Sequence, residues 1–256
     1  MILGLEFEPV SRLVQWKTLF GSGPFAPTRV TVQIVLSVIV IITFYVLAGR
    51  KKALVPKGTQ NVAESAYDFV QDGIILQTMG EEGLGWTTFL MTMFSFILVL
   101  NIWEVLPGFQ MPVTAHIAIP VELALLVWVL FNFVGIKSQG FFGYFKSMAF
   151  PPGVPWPLYI LITPIEIIST LFVRPLSLSV RLFANMLAGH LLLATFAVLT
   201  AGILFGAPPL LKIGAVLPFG LLVALTGFEV LVAFLQAFIF TILAAVYIGG
   251  AMHPEH

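Results

Sequence analysis

The chain has 256 residues, 59% of them hydrophobic and 9% charged, with a mean hydropathy of +1.04. A soluble domain carries about 25% charged residues, so this composition is that of a multi-spanning membrane protein. Zero net charge argues against a nucleic-acid partner, and the absence of cysteine excludes disulfides, thiolate chemistry and cysteine-ligated iron–sulfur clusters.

Residues 1–30 are mixed, with Pro9, Pro24 and Pro27 breaking any long helix. Glu6 and Glu8 precede every apolar run, unlike the basic-then-apolar start of a cleaved signal. A first span is expected at 31–49, closed by Gly49 and the cluster Arg50, Lys51, Lys52 and Lys57. The positive-inside rule places that cluster in the cytoplasm and the N-terminus outside. Over 59–78, Glu64, Asp68 and Asp72 repeat on one helical face, with Val62, Ala66, Phe69, Val70 and Ile74 on the other. This predicts an amphipathic helix on the cytoplasmic surface, with Asn61 and Glu64 spaced as a capping box. Its acidic face suits a protein partner better than anionic lipid; a plain solvated connector is the alternative.

A second span is expected at 87–106, stopped by Pro107-Gly108, with Asn101 and Glu104 at interface depth. The third runs over 117–136, with Glu122 near its outer end and Lys137 at its inner end. The loop to 157 carries Lys137 and Lys146 and is expected inside, whereas Arg12, Lys17, Arg29 and Lys212 fall outside. Two further apolar runs are too long for simple spans. Residues 158–200 would form roughly 65 Å of helix and 215–250 roughly 54 Å, against a hydrocarbon core of ~30 Å. No charged turn divides either run; Pro164 and Pro175 only bend the first. Two long tilted helices joined around Gly206-Ala207-Pro208-Pro209 fit best, and five crossings put the C-terminus inside. The expected fold is thus an all-α polytopic membrane protein, one domain over 1–256, with a surface helix and a terminal hairpin.

That hairpin carries the intramembrane polar groups. Residues 174–190 read RPLSLSVRLFANMLAGH. Arg174, Ser177, Arg181, Asn185 and Ala188 recur every three or four residues and share a helical stripe, flanked by the small Ala184 and Gly189. An arginine near the centre of a span costs roughly 2.5–3.5 kcal/mol on insertion scales, so it needs a partner or a task. A salt bridge from Arg181 to Glu229 or Glu166 is one account. Arg174 reads as an interfacial anchor. Glu229 and Gln236, seven apart, share a face of the second arm. His116, His190, His253 and His256 are too scattered to hold a haem between two helices, and the last two read as a solvated tail. A secondary transporter would also bury such groups, but it usually has internal repeats, and none relates 31–136 to 158–250.

The run RPLSLSVRLFANMLAGH, with LQAFIFTILAAVYIGG at 235–250 and QN-x-x-E at 60–64, resembles the a subunit of rotary ATP synthase, the membrane stator of its proton channel. The resemblance covers roughly residues 30–250. It implies that the hairpin wraps a rotating ring of small hairpin subunits bearing a carboxylate, beside peripheral-stalk subunits and a soluble catalytic head, in a bacterial plasma membrane. It implies no cofactor or metal. Arg181 resembles the essential stator arginine, and Asn185 and Gln236 resemble polar residues beside the proton path. His190 and Glu229 occupy two positions where bacterial relatives can carry the reverse pair, acid first and histidine second. Glu166 resembles the acid of the inner half-channel, with Ser177 as its helper. At the outer end of the third span the family often carries an Asp and an Asn; here His116 and Ala118 stand there, and Glu122 is the candidate substitute. No G-x-x-x-x-G-K-[ST] loop occurs, so ATP chemistry is expected on partners.

Overall fold

The computed structural model describes residues 26–50, 53–106, 112–150 and 156–252. The N-terminal segment up to residue 25, His253 and His256 lie outside that description. The described residues are helical, and five stretches are long and apolar enough to cross a membrane: Arg29–Arg50, Glu81–Ile102, Ala118–Gln139, Tyr159–Gly206 and Pro209–Met252.

Helix α1 (Arg29–Arg50) buries only Val30, Gln33, Ser37 and Ala48. Val35, Ile39 and Ile42 are each more than half exposed, as befits a helix standing mainly in lipid. Helix α2 (Thr59–Val70) runs on through a π-helical turn, Gln71–Ile75, into Leu76–Thr78. Glu64, Asp68 and Asp72 are exposed while Val70 and Ile74 are fully buried, so the amphipathic pattern holds. Val62 departs from it, at 57% exposure. The capping box does not form. The helix starts two residues before Asn61, after Gly58 at φ 62°, and Glu64 accepts from Gln60 Nε2 at 2.8 Å.

Helix α3 (Thr87–Ile102) ends five residues before the proline expected to stop it, and Trp103, Glu104 and Val105 form a turn. Asn101 and Glu104 are buried at 0% and 3% exposure rather than lying at a wet interface. The corner is packed: Trp103 Nε1 donates to Ser37 Oγ at 2.7 Å, and Val30, Leu100, Val113 and Ile119 close around it. Helix α4 (Ala118–Gln139) leads through Gly140, at φ 74°, into α5 (Phe141–Ala149), a helix inside the region read as a plain loop. Tyr144 of α5 lies directly against Gly135 of α4, leaving no room for a Cβ. Gly135→Ala is therefore expected to destabilise the fold by about 1–3 kcal/mol, read as a lower thermal midpoint of the solubilised protein.

Helix α6 (Tyr159–Ile168), a π-helical turn Ser169–Val173 and α7 (Arg174–Gly206) form one 48-residue run. Pro175 has no N–H to donate and its ring crowds the carbonyl four residues back. The widened turn just before it accommodates that misfit. Ala207 and Pro208 reverse the chain, and α8 (Val216–Met252) returns along α7. At 1.5 Å per residue the two arms are about 72 and 56 Å long, so neither stands upright in ~30 Å of hydrocarbon. Residues Ala233, Ala237, Ala244, Ala245 and Gly249 make one buried face of α8, and small side chains there let α3, α4 and α7 pack closely.

Candidate proton path

The expected stripe of α7 is real. Leu178, Leu182, Met186 and Gly189 are buried, which turns Arg181, Ala184, Asn185 and Ala188 outward. Around them the surface is apolar, with Leu176 at 60%, Leu231 at 52% and Leu235 at 43% exposure. Arg181 has no ion-pair partner among the described residues. Both salt bridges proposed for it fail: Glu166 is committed to Arg174, and Glu229 lies further along the hairpin.

Three contacts fix the register of the hairpin, stepping down α7 as they step up α8. Gly189 faces Glu229, so closely that an added Cβ would lie 2.5 Å from the carboxylate. Asn185 Nδ2 donates to Gln236 Oε1 at 2.8 Å. Arg174 stacks its guanidinium over Tyr247 at 5.3 Å. Gln236 is 2% exposed, and its Nε2 has no acceptor among the described residues. A double-mutant cycle of Asn185→Ala and Gln236→Ala is expected to read a coupling of about 1 kcal/mol in thermal unfolding, typical of an interhelical hydrogen bond in a membrane.

Two polar clusters lie on either side of Arg181. One is an open cleft of about 410 Å³ whose lining includes Ser169, Arg174, Ser177 and Tyr247. Glu166 reaches Arg174 Nη2 at 3.2 Å, with both side chains about one-third exposed. Arg174, read as an interfacial anchor, is thus a cleft residue held by an acid and an aromatic face. The other cluster gathers around Glu229, which is 4% exposed and has an Oε2 without a partner among the described residues. Among the described residues no ion pair or hydrogen bond joins Glu229 to His190, the residue that follows Gly189 on α7.

Two further groups complete this second cluster: Glu104, read from the sequence only as lying at interface depth, and His116, which the resemblance places near an entry-path position. Glu104, on the turn after α3, is pushed up to about 8, first by burial and then by the charge of Glu229. His116, 2% exposed on the turn before α4, is pushed below the ordinary imidazole range by burial and by His190. Glu122, the candidate substitute acid, is exposed on the outside of α4. Among the described residues no group of three or more His, Asp or Glu side chains could hold a metal ion.

The profile of the ATP synthase A chain family matches residues 30–249. The chain belongs to that family. It is 44% identical to ATP synthase subunit a of Frankia alni over 238 residues, covering 92% of this chain and 81% of the relative. It is 42% identical to that of Hyphomonas neptunium, covering 98% of each, and 41% identical to that of Acidiphilium cryptum, covering 95% and 97%. Membership makes the chain a polytopic helical subunit of ATP synthase with the family's general stator role in proton transport.

Proposed function

We propose that the chain forms the stator wall of two offset half-channels that meet a rotating ring of carboxylate-bearing hairpin subunits, with Arg181 as the charge between them. The carrying observation is Arg181 itself, a cation without an ion-pair partner among the described residues, on an outward apolar face between two polar clusters. The outer half-channel uses Glu229, His190, Asn185 and Gln236; the inner one uses Glu166 and Ser177 along the cleft. A proton cannot cross hydrocarbon unaided and needs titrating groups or water on each side. Arginine keeps its proton, so it relays nothing and blocks direct passage between the halves. Its charge favours the ionised form of a passing ring carboxylate, which therefore gives up its proton there. One charge moved through 100 mV yields about 2.3 kcal/mol, and several per turn supply rotational work.

In this reading the subunit sits in a bacterial plasma membrane, N-terminus outside and C-terminus in the cytoplasm. Peripheral-stalk subunits hold it, and ATP chemistry belongs to the soluble head. The test compares wild type with Arg181→Ala in inverted vesicles, measuring ATP-driven pumping and proton-driven synthesis. Loss of both in an assembled complex supports the reading; persistence of pumping would make the arginine a packing feature.

A further inference from the structure

We infer that Glu104 is a proton-relay residue of the outer half-channel, delivering protons past His116 to Glu229 and His190. This rests on the half-channel reading above and supplies the inlet acid that the third span lacks. Four elements converge on the place. The turn Val113–Ala115 packs against α1, α3, α4 and α7, and α8 packs against α3. Asn101 Oδ1 accepts from Thr114 Oγ1 at 2.7 Å, tying the end of α3 to that turn. Trp103, bonded to Ser37, pins the residue directly before Glu104.

Glu104 is held in place but leaves part of its carboxylate unused. It is 3% exposed, and its Oε1 has no hydrogen-bond partner among the described residues. Glu229 presents a second orphaned carboxylate oxygen, near enough for its charge to act on Glu104. A packing residue in this corner would be apolar, since an unsatisfied buried acid only costs stability. Two buried acids, each with an open oxygen and one within reach of the other's charge, are suited to hand on a proton through intervening water. The titratable groups of this cluster are Glu229 from α8, whose charge acts on Glu104, and His190 from α7 with His116 from the turn before α4, which act on one another. None is a fixed cation, so nothing holds Glu104 permanently ionised, and it can be reloaded from the outer side. With its titration near pH 8 it is charged with a proton at neutral outer pH and loses it above that value.

The experiment uses the whole complex in proteoliposomes, driven by a potassium diffusion potential, with ATP synthesis followed as the pH on the outer-facing side is varied. Glu104→Gln is expected to lower synthesis about tenfold at neutral pH, less than the 10²–10⁴ of a direct proton-transfer group because water can substitute in part. Wild type is expected to lose rate as the outer pH rises through about 8, and that fall should vanish in the variant. Glu104→Asp should recover most of the rate, and Glu122→Gln, on the exposed side of α4, should match wild type. Wild-type synthesis and an unchanged pH profile in Glu104→Gln would overturn the inference. If that variant does not assemble, Glu104→Asp decides: a displaced pH limb supports the relay and an unmoved one overturns it. Should Arg181→Ala abolish synthesis while Glu104→Gln leaves it intact, only this inference falls; if neither matters, the half-channel reading falls with it.

Discussion

Arg181→Lys is expected to leave the ATP synthase assembled and its proton-driven synthesis at background, as Arg181→Ala does. The side chain is exposed on α7 and makes no ion pair among the described residues, so its removal breaks no ion pair within the chain. The stability cost is correspondingly small, and assembly survives. The functional cost is large because the two replacements fail differently. Alanine removes the charge, so nothing favours ionisation of a ring carboxylate, and protons can leak between the half-channels without rotation. Lysine keeps a charge in water, but a low-dielectric contact lowers its pKa and lets it take part in proton exchange. It also lacks the planar fork that meets a carboxylate with two hydrogen bonds. Passive proton permeability separates the two cases, being raised most in Arg181→Ala. An Arg181→Lys complex that still synthesises ATP would remove the arginine from the coupling role.

How much of this was legible in the sequence depends on what the pattern has to encode. The hairpin announced itself through length: two apolar runs too long for a bilayer, unbroken by charge, with Pro208 and Pro209 between them. The outward stripe of α7 followed from three-and-four spacing alone. The Arg174–Glu166 pair did not. Eight residues in a regular α-helix leave two side chains about 80° apart around the axis. The π-helical turn Ser169–Val173 lies between them and changes that angle, and local periodicity gives no sign of it. Glu104 was missed for another reason. Hydropathy placed it at the end of a span, where an acid is ordinarily solvated. It follows Trp103, which packs into a cluster with Val30, Val113 and Ile119, contacts that no window along the chain can contain. The helix α5 was missed because the stretch after Lys137 is too short for a span and reads whole as a loop, although Gly140 serves the turn that precedes a nine-residue helix.

Gly189→Ala is expected to keep the fold and lose most of the proton-driven synthesis, by up to about 100-fold, the scale of a 1 Å misplacement of a reacting group. The added methyl would lie 2.5 Å from one Glu229 carboxylate oxygen and 2.6 Å from the other, closer than any real contact. What it meets is the far end of a flexible side chain, so the helices need not separate. Glu229 instead rotates away from α7, from the flank of His190 and from the open oxygen of Glu104. Stability should therefore change by less than about 1 kcal/mol, since alanine also favours helix over glycine by a similar amount. The substitution thus moves a carboxylate without changing its charge, which Glu229→Gln cannot do. Gly220→Ala, on the same arm as Glu229 but with open space around its Cβ, should synthesise ATP at the wild-type rate. Synthesis and thermal stability of the purified complex, measured together, separate the outcomes. A stable Gly189→Ala complex that works as well as wild type would mean that the position of Glu229 against α7 is immaterial to proton transfer. In that case the outer half-channel must run along another face of the hairpin.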